Sequence, residues 1–192
     1  MARPLGFDRT EVLRKATELF NERGYTRTST RDLVAATGLN ESSLYNSFGN
    51  KRALFVEVLT AYDSQLWTSV VENKDGRSAR ENIEYLFTTL IDHVSYPHGQ
   101  GCMLLTAANE LGQGDEEIRN YTVSAYQKIT EGFESLLQQG QTDGDVSSKK
   151  TPAQLALFFT NAYQGLRSGA ALEPSHEACE DVISVAFAVL DD

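Results

Sequence analysis

Apolar residues return every three or four positions along most of this chain, the spacing that gathers side chains on one face of an α-helix. Val12, Leu13, Ala16, Leu19 and Phe20 set a first helix over about Thr10 to Arg23, with Asp8 as its N-cap and Gly24 as its stop. A second, of barely two turns, begins at Ser29 or Thr30, turns Leu33, Val34 and Ala36 inward and ends before Gly38. Asn40 caps a third through Phe48, on which Leu44 and Phe48 share a face. Helices this short do not persist alone in water. They must pack against the first helix and against a fourth, which Asn50 caps and which carries Leu54, Phe55, Val58, Leu59, Tyr62 and Leu66 from Lys51 to about Val71.

NKDGRS then reads as a loop, and a fifth helix over about Ala79 to Tyr96 is stopped by Pro97, Gly99 and Gly101. Cys102 to Leu111 forms a short sixth, and Asp115 caps a long seventh to about Gln139. GQTDGDVSSKKTP is expected to be an exposed connector before two last helices, about Pro152 to Ala171 and Ser175 to Leu190. The expected fold is all-α with about nine helices. Residues 1–50 make a three-helix head, residues 51–192 a larger helical body, and the fourth helix (about 51–71) links them.

Composition narrows the setting. No apolar run approaches the roughly 18 residues that span a bilayer, so no membrane partner is expected. The first twenty residues lack the apolar core of a cleaved signal and carry Asp8, Glu11 and Glu18. A cytoplasmic protein is expected, and Cys102 and Cys179 are too few for a disulfide framework. The net charge of −10 argues against a nucleic-acid partner, since phosphate binding releases counterions to Lys and Arg. The charge is unevenly spread, however. Residues 1–60 hold nine Lys and Arg against seven Asp and Glu, and residues 61–192 hold eight against twenty. A mildly basic head on an acidic body remains compatible with DNA binding by the head.

Two short helices about a glycine turn are the arrangement of a helix-turn-helix, whose second helix enters the major groove. With Leu33, Val34, Leu44 and Phe48 inward, the outer face of the third helix is Glu41, Ser42, Ser43, Asn46 and Ser47, short hydrogen-bonding side chains that can approach base edges. Tyr45 adds a long reach with a polar tip. Lys51, and likewise Thr30 and Arg31, sit at helix N-termini, where backbone N–H groups already attract an anion.

On TRDLVAATGL, SLYNSF and NKRALF, residues 8–60 resemble the DNA-binding domain of the TetR family of transcriptional repressors. The resemblance implies phosphate contacts from Thr30, Tyr45 and Lys51, with Arg31 reaching a phosphate or a base. It implies base reading by Glu41, Ser42, Ser43 and Asn46, with Ser47 at the margin. Val34 and Thr37 stand where the family often has alanine, both on the inner face. The resemblance also implies a homodimer on a pseudo-palindromic double-stranded operator, with the last two helices of each subunit at the interface. The residues agree: Ala162, Gly165 and Gly169 give a smooth strip flanked by Leu155, Phe158, Phe159 and Leu166, and the last helix adds Val182, Val185, Ala186 and Val189.

By the same resemblance the body binds a small-molecule effector that releases the operator, in a site between helices lined by apolar and a few polar groups. Trp67, Tyr85, Phe87, His93, Tyr96, Tyr121, Tyr126 and Tyr163 are candidates for its lining. HGQGCMLLTAANELG is similar to a Gly-Cys-Leu-Leu stretch of some members, which makes Cys102 a candidate sensing thiol for an electrophile; as a residue it is equally a small buried hydrophobe. His93, His98 and Cys102, or His176 and Cys179, do not make a persuasive metal site, and no cofactor is expected. Nothing resembles a nucleophile signature, a phosphate-binding glycine loop or a paired metal carboxylate, so an enzyme is not expected. The alternative is a constitutive DNA-binding module without an effector.

Overall fold

The computed structural model describes the backbone of residues 7–71, 76–94, 101–169, 172 and 175–191 and, outside 63–71 and 92–94, their side chains. Among the described residues the chain is helical and no strand occurs. The helices are α1 (Arg9–Arg27), α2 (Thr30–Thr37), α3 (Glu41–Phe48), α4 (Lys51–Val71), α5 (Ala79–Val94), α6 (Met103–Leu111), α7 (Glu116–Asp143), α8 (Pro152–Gly169) and α9 (His176–Ala188). None is long and apolar enough to cross a membrane.

Local capping starts the helices. Asp8 accepts from the N–H groups of Thr10 and Glu11, and Asn40 accepts from Ser43. Ser29 and Asp32 form a reciprocal capping box on α2, which occupies two N–H groups that no helical carbonyl reaches. Asn50 and Asp115 accept from Ala53 and Ile118 at the starts of α4 and α7. Gly24, expected as the stop of α1, has φ 74 and ψ 175 and breaks the helix there, after which the chain coils on to Arg27.

Two compact units emerge: residues 1–64 with 103–122, and residues 65–102 with 123–192. The first therefore takes in α6 and the first turns of α7 beside the three-helix head. Its core is Val12, Ala16, Leu19 and Phe20 of α1, Leu33, Leu44 and Phe48 of the two short helices, Leu54, Phe55, Val58 and Leu59 of α4, and Met103, Leu104, Ala107 and Ile118. Phe55 meets the rings of Phe20 and Tyr25, each at 4.9 Å between centroids. Leu13 is only half-buried.

In the second unit Phe87 of α5 is the hub. Its ring makes edge contacts with Phe159 (5.7 Å), Tyr163 (5.5 Å) and Phe187 (5.6 Å), drawing in α8 and α9. Truncating a buried ring of this kind to alanine costs about 3–5 kcal/mol. Ala125, Ile129, Phe133 and Leu137 bring the inner face of α7 to the same core.

Two expectations need correction here. α7 runs to Asp143 rather than Gln139, because Gly140 serves close packing instead of a stop: a side chain there would strike Val146, Asp145 and Ala79. The segment after it is not a freely exposed connector. Val146 is buried, Ser147 donates to the Leu190 carbonyl, and Gln141 donates to the carbonyls of Ser147 and Lys150.

Candidate nucleic-acid interface

Gly38, at φ 75 and ψ 5, makes the left-handed turn between α2 and α3, a conformation that a side chain disfavours. Thr37 before it is buried, its hydroxyl donating to the Leu33 carbonyl. Leu33, Leu44 and Phe48 face the core. What remains outward on α3 is Glu41, Ser42 and Asn46, exposed, with Ser43 and Ser47 half-buried at the edges.

Around that face stand the groups with a long reach. The Thr30 and Tyr45 hydroxyls lie 2.6 Å apart, either able to donate, so the start of α2 and the middle of α3 present one paired polar group. Arg31 beside Thr30 is exposed. Lys51, the first residue of α4, places its Nζ 4.1 Å from the centre of the Tyr25 ring, a favourable placement of a cation on a π face. Burial pushes its ammonium below the ordinary lysine value, and the nearby Glu110 carboxylate pulls the other way.

Several residues that pattern reading passed over brace this surface. Arg9 donates to the Ser47 carbonyl at 3.0 Å, pairs with Glu57 at 2.5 Å and stacks 4.1 Å from the Phe48 ring centre. It thereby ties the C-terminal end of α3 to α1 and α4. Arg52 grips Asp115 through Nε (2.6 Å) and Nη2 (2.9 Å) and also reaches Glu117 (2.7 Å), joining the N-termini of α4 and α7. The Arg52 guanidinium, followed by the Ile118 N–H, holds the Asp115 carboxyl down to about 2. Glu110 of α6 accepts from the Thr26 N–H at 2.8 Å, with its other carboxylate oxygen against Gly24. In sequence these bonds span 38 to 84 residues, so no local signal announces them.

The remaining candidates scatter. Trp67 and His93 have side chains outside the described residues, as do Tyr96 and His98 entirely. Tyr85 is 48% exposed under the Arg77 guanidinium, so it faces outward rather than lining an interior site. Tyr121 belongs to the first unit, its hydroxyl donating to the Leu59 carbonyl at 3.4 Å. Tyr126 is half-buried and accepts from Asn161. Cys102 and Tyr163 are both buried in the second unit, and burial raises the Tyr163 phenol while the Arg167 guanidinium pulls the other way. His176 pairs with Glu180 and Cys179 is buried; among the described residues no group of three or more His, Cys, Asp and Glu gathers as metal ligands would.

On α8 and α9 the expected strip divides. Leu155 and Phe159 turn into the subunit's own core, as does Ala186, which removes them from any surface that another chain could touch. Phe158 (41%), Val182 (46%) and Val185 (72%) are exposed. Ala162, Leu166, Gly169 and Val189 are half-buried between them. A side chain at Gly165 or Gly169 would meet nothing within 4 Å. Phe158, Ala162, Gly165 and Gly169 thus run along one open face of α8.

Comparison with known proteins agrees with this geometry. Residues 12–58 match the family described as bacterial regulatory proteins, tetR family, and residues 79–186 match the tetracyclin repressor-like C-terminal domain. The HTH-type transcriptional repressor ComR of Escherichia coli (strain K12) is 32% identical over 89% of this chain and 85% of its own length. The HTH-type transcriptional repressor DhaR of Mycobacterium sp. (strain GP1) is 25% identical over 95% of this chain and 91% of its own. Among solved structures, a cysteine mutant of the regulator CifR, complexed with 26 bp of double-stranded operator DNA, superposes with a TM-score of 0.81 at 27% identity, covering 98% of this chain and all of that one. A helix-turn-helix head with a small polar outer face, followed by a matching C-terminal domain across more than half of the chain, leads to one assignment: the chain belongs to the TetR family of bacterial transcriptional regulators.

Proposed function

We propose that this protein is a homodimeric repressor that binds a pseudo-palindromic operator through the head at residues 1–50 and is released when residues 51–192 take up a small-molecule effector. The observation that carries the reading is the outer face of α3: Glu41, Ser42 and Asn46 stand exposed for base edges, flanked by the Thr30–Tyr45 pair, Arg31 and Lys51 for phosphates. The operator complex of CifR supports it. The open face of Phe158, Ala162, Gly165 and Gly169 with Val182 and Val185 supports the dimer, because a contiguous apolar patch on a polar surface marks a protein contact. A head of small net positive charge binds weakly alone, and two linked heads gain from effective concentration.

The effector reading draws support from α8. Among the described residues the Thr160 hydroxyl and the Gln164 amide oxygen, one turn apart and buried, meet no hydrogen-bond partner, whereas Thr17, Thr60 and Thr130 each donate back to a carbonyl of their own helix. An unpaired buried polar group is costly, and a polar ligand would satisfy both.

Mobility-shift titration of DNA flanking the protein's own gene, with and without candidate metabolites, tests the whole reading. Tight, palindrome-dependent binding that one metabolite abolishes is expected; indifference to every palindromic duplex at low ionic strength would overturn it. Phe158→Asp should shift the protein from dimer to monomer by sedimentation and weaken the operator complex with it.

A further inference from the structure

Between them α2 and α3 contain a single Lys or Arg, Arg31. Guanine shows two acceptors to the major groove, O6 and N7, and is read by a guanidinium or an ammonium. The helix that enters the groove has neither. It opens instead on an acid. Glu41 is the first residue of α3, it is exposed, and among the described residues it belongs to no ion pair. Three arginines of the first unit are engaged with other partners: Arg9 with Ser47 and Glu57, Arg23 with Asp32, Arg52 with Asp115.

An acid in the first turn of a helix interacts well with the helix dipole in any protein. That does not account for one carried into a groove walled by phosphates, where it is repelled unless a donor faces it. A carboxylate only accepts. In the major groove the donors are the N4 amino group of cytosine and the N6 amino group of adenine, and of these a carboxylate selects cytosine, because adenine adds an acceptor, N7, beside its amino group. The neighbouring Asn40 is held at the helix end as its cap, its side-chain oxygen accepting from the Ser43 N–H at 2.8 Å.

We propose that Glu41 reads one cytosine in each operator half-site by accepting a hydrogen bond from its N4 amino group. This rests on the reading of the chain as an operator-binding dimer. Glu41 is then a specificity residue that costs general DNA affinity and returns discrimination at one base pair.

The test is selection of bound fragments from a random duplex library by the full-length protein, by Glu41→Gln and by Glu41→Ala. The wild-type motif should contain a cytosine in each half-site whose replacement weakens binding about tenfold. Glu41→Gln should convert that position to adenine, whose N6 and N7 suit an amide. Glu41→Ala should leave that position without preference, keep the rest of the motif, and bind scrambled DNA more tightly than the wild type because a like charge has left the phosphate-facing surface. A wild-type motif that neither substitution alters overturns the inference and leaves the operator reading intact. A wild-type protein that enriches no sequence overturns the operator reading, and this inference with it.

Discussion

The hydroxyl groups of Thr30 and Tyr45 meet at 2.6 Å, joining the first residue of α2 to the middle of α3. Neither helix has more than eight residues, and helices this short owe their stability to packing. The bond therefore fixes where the proposed groove-entering helix sits relative to the first turn of its neighbour.

Tyr45→Phe removes that bond and a proposed phosphate donor together. Affinity for cognate and scrambled DNA should fall by a similar factor, with the preferred sequence unchanged, as anisotropy titrations would record. Lys51→Ala should act likewise and also reduce the slope of log affinity against log salt by about one. A changed sequence preference in either variant would contradict the division of roles.

Gly24 is held at φ 74 and ψ 175, and a Cβ there would stand 2.0 Å from a Glu110 carboxylate oxygen. That backbone region is almost exclusive to glycine, at a cost of about 1–3 kcal/mol for other residues. Gly24→Ala should lower thermal stability by that strain and also displace Glu110 from the Thr26 N–H. In a Glu110→Ala background, which has neither that contact nor that bond, Gly24→Ala should cost the strain alone. No further loss in that background would show that the backbone carries no strain.

Asp115 gives the fold a defined acid sensitivity. Its folded pKa, about 2, lies below the ordinary aspartate value near 4. The pairing with Arg52 therefore stabilises the fold above about pH 4 and is lost as the pH falls toward 2. In unfolding titrations the stability gap between wild type and Asp115→Asn should be constant near neutrality and close through this window. The other lowered acids, Asp32, Glu11 and Asp191, are common to both proteins and drop out of the difference. A gap undiminished at pH 2 would rule out the charge as its source.

Both thiols are buried, Cys102 at 1% exposure and Cys179 at 2%, and burial raises the Cys179 thiol. The reactive species is the thiolate, so maleimide should label neither cysteine of the folded protein at neutral pH on the timescale on which both react in denaturant. Fast labelling of Cys102 with loss of operator binding would revive it as a sensing thiol.

How much of this was legible follows from the range of each interaction. The caps at Asp8, Ser29, Asn40, Asn50 and Asp115 act within three residues, so the starts of the helices in the first unit could be read directly. The face of α3 could be read too, because Leu44 and Phe48 fix its rotation. The grip of Arg9 on Ser47, of Arg52 on Asp115 and of Glu110 on Thr26 could not, since each joins residues whose separation along the chain carries no pattern. Nor could the role of Gly140. A glycine in a helical stretch usually signals an end, and only the approach of Val146 and Ala79 shows that this one makes room.

The amino-acid order alone determined the helical segments of the described residues, the tight bend at Gly38 and the small polar face that follows it, because capping, periodicity and the left-handed preference of glycine are properties of adjacent residues. Tertiary structure decided what those properties leave open. It turned Leu155 and Phe159 inward and Phe158 outward on a helix apolar on both sides, drew α6 into the unit of the head, and chose partners for the arginines. A rotation about a helix axis and a charge pairing across many tens of residues depend on what packs on the other side, and that is a property of the assembled chain.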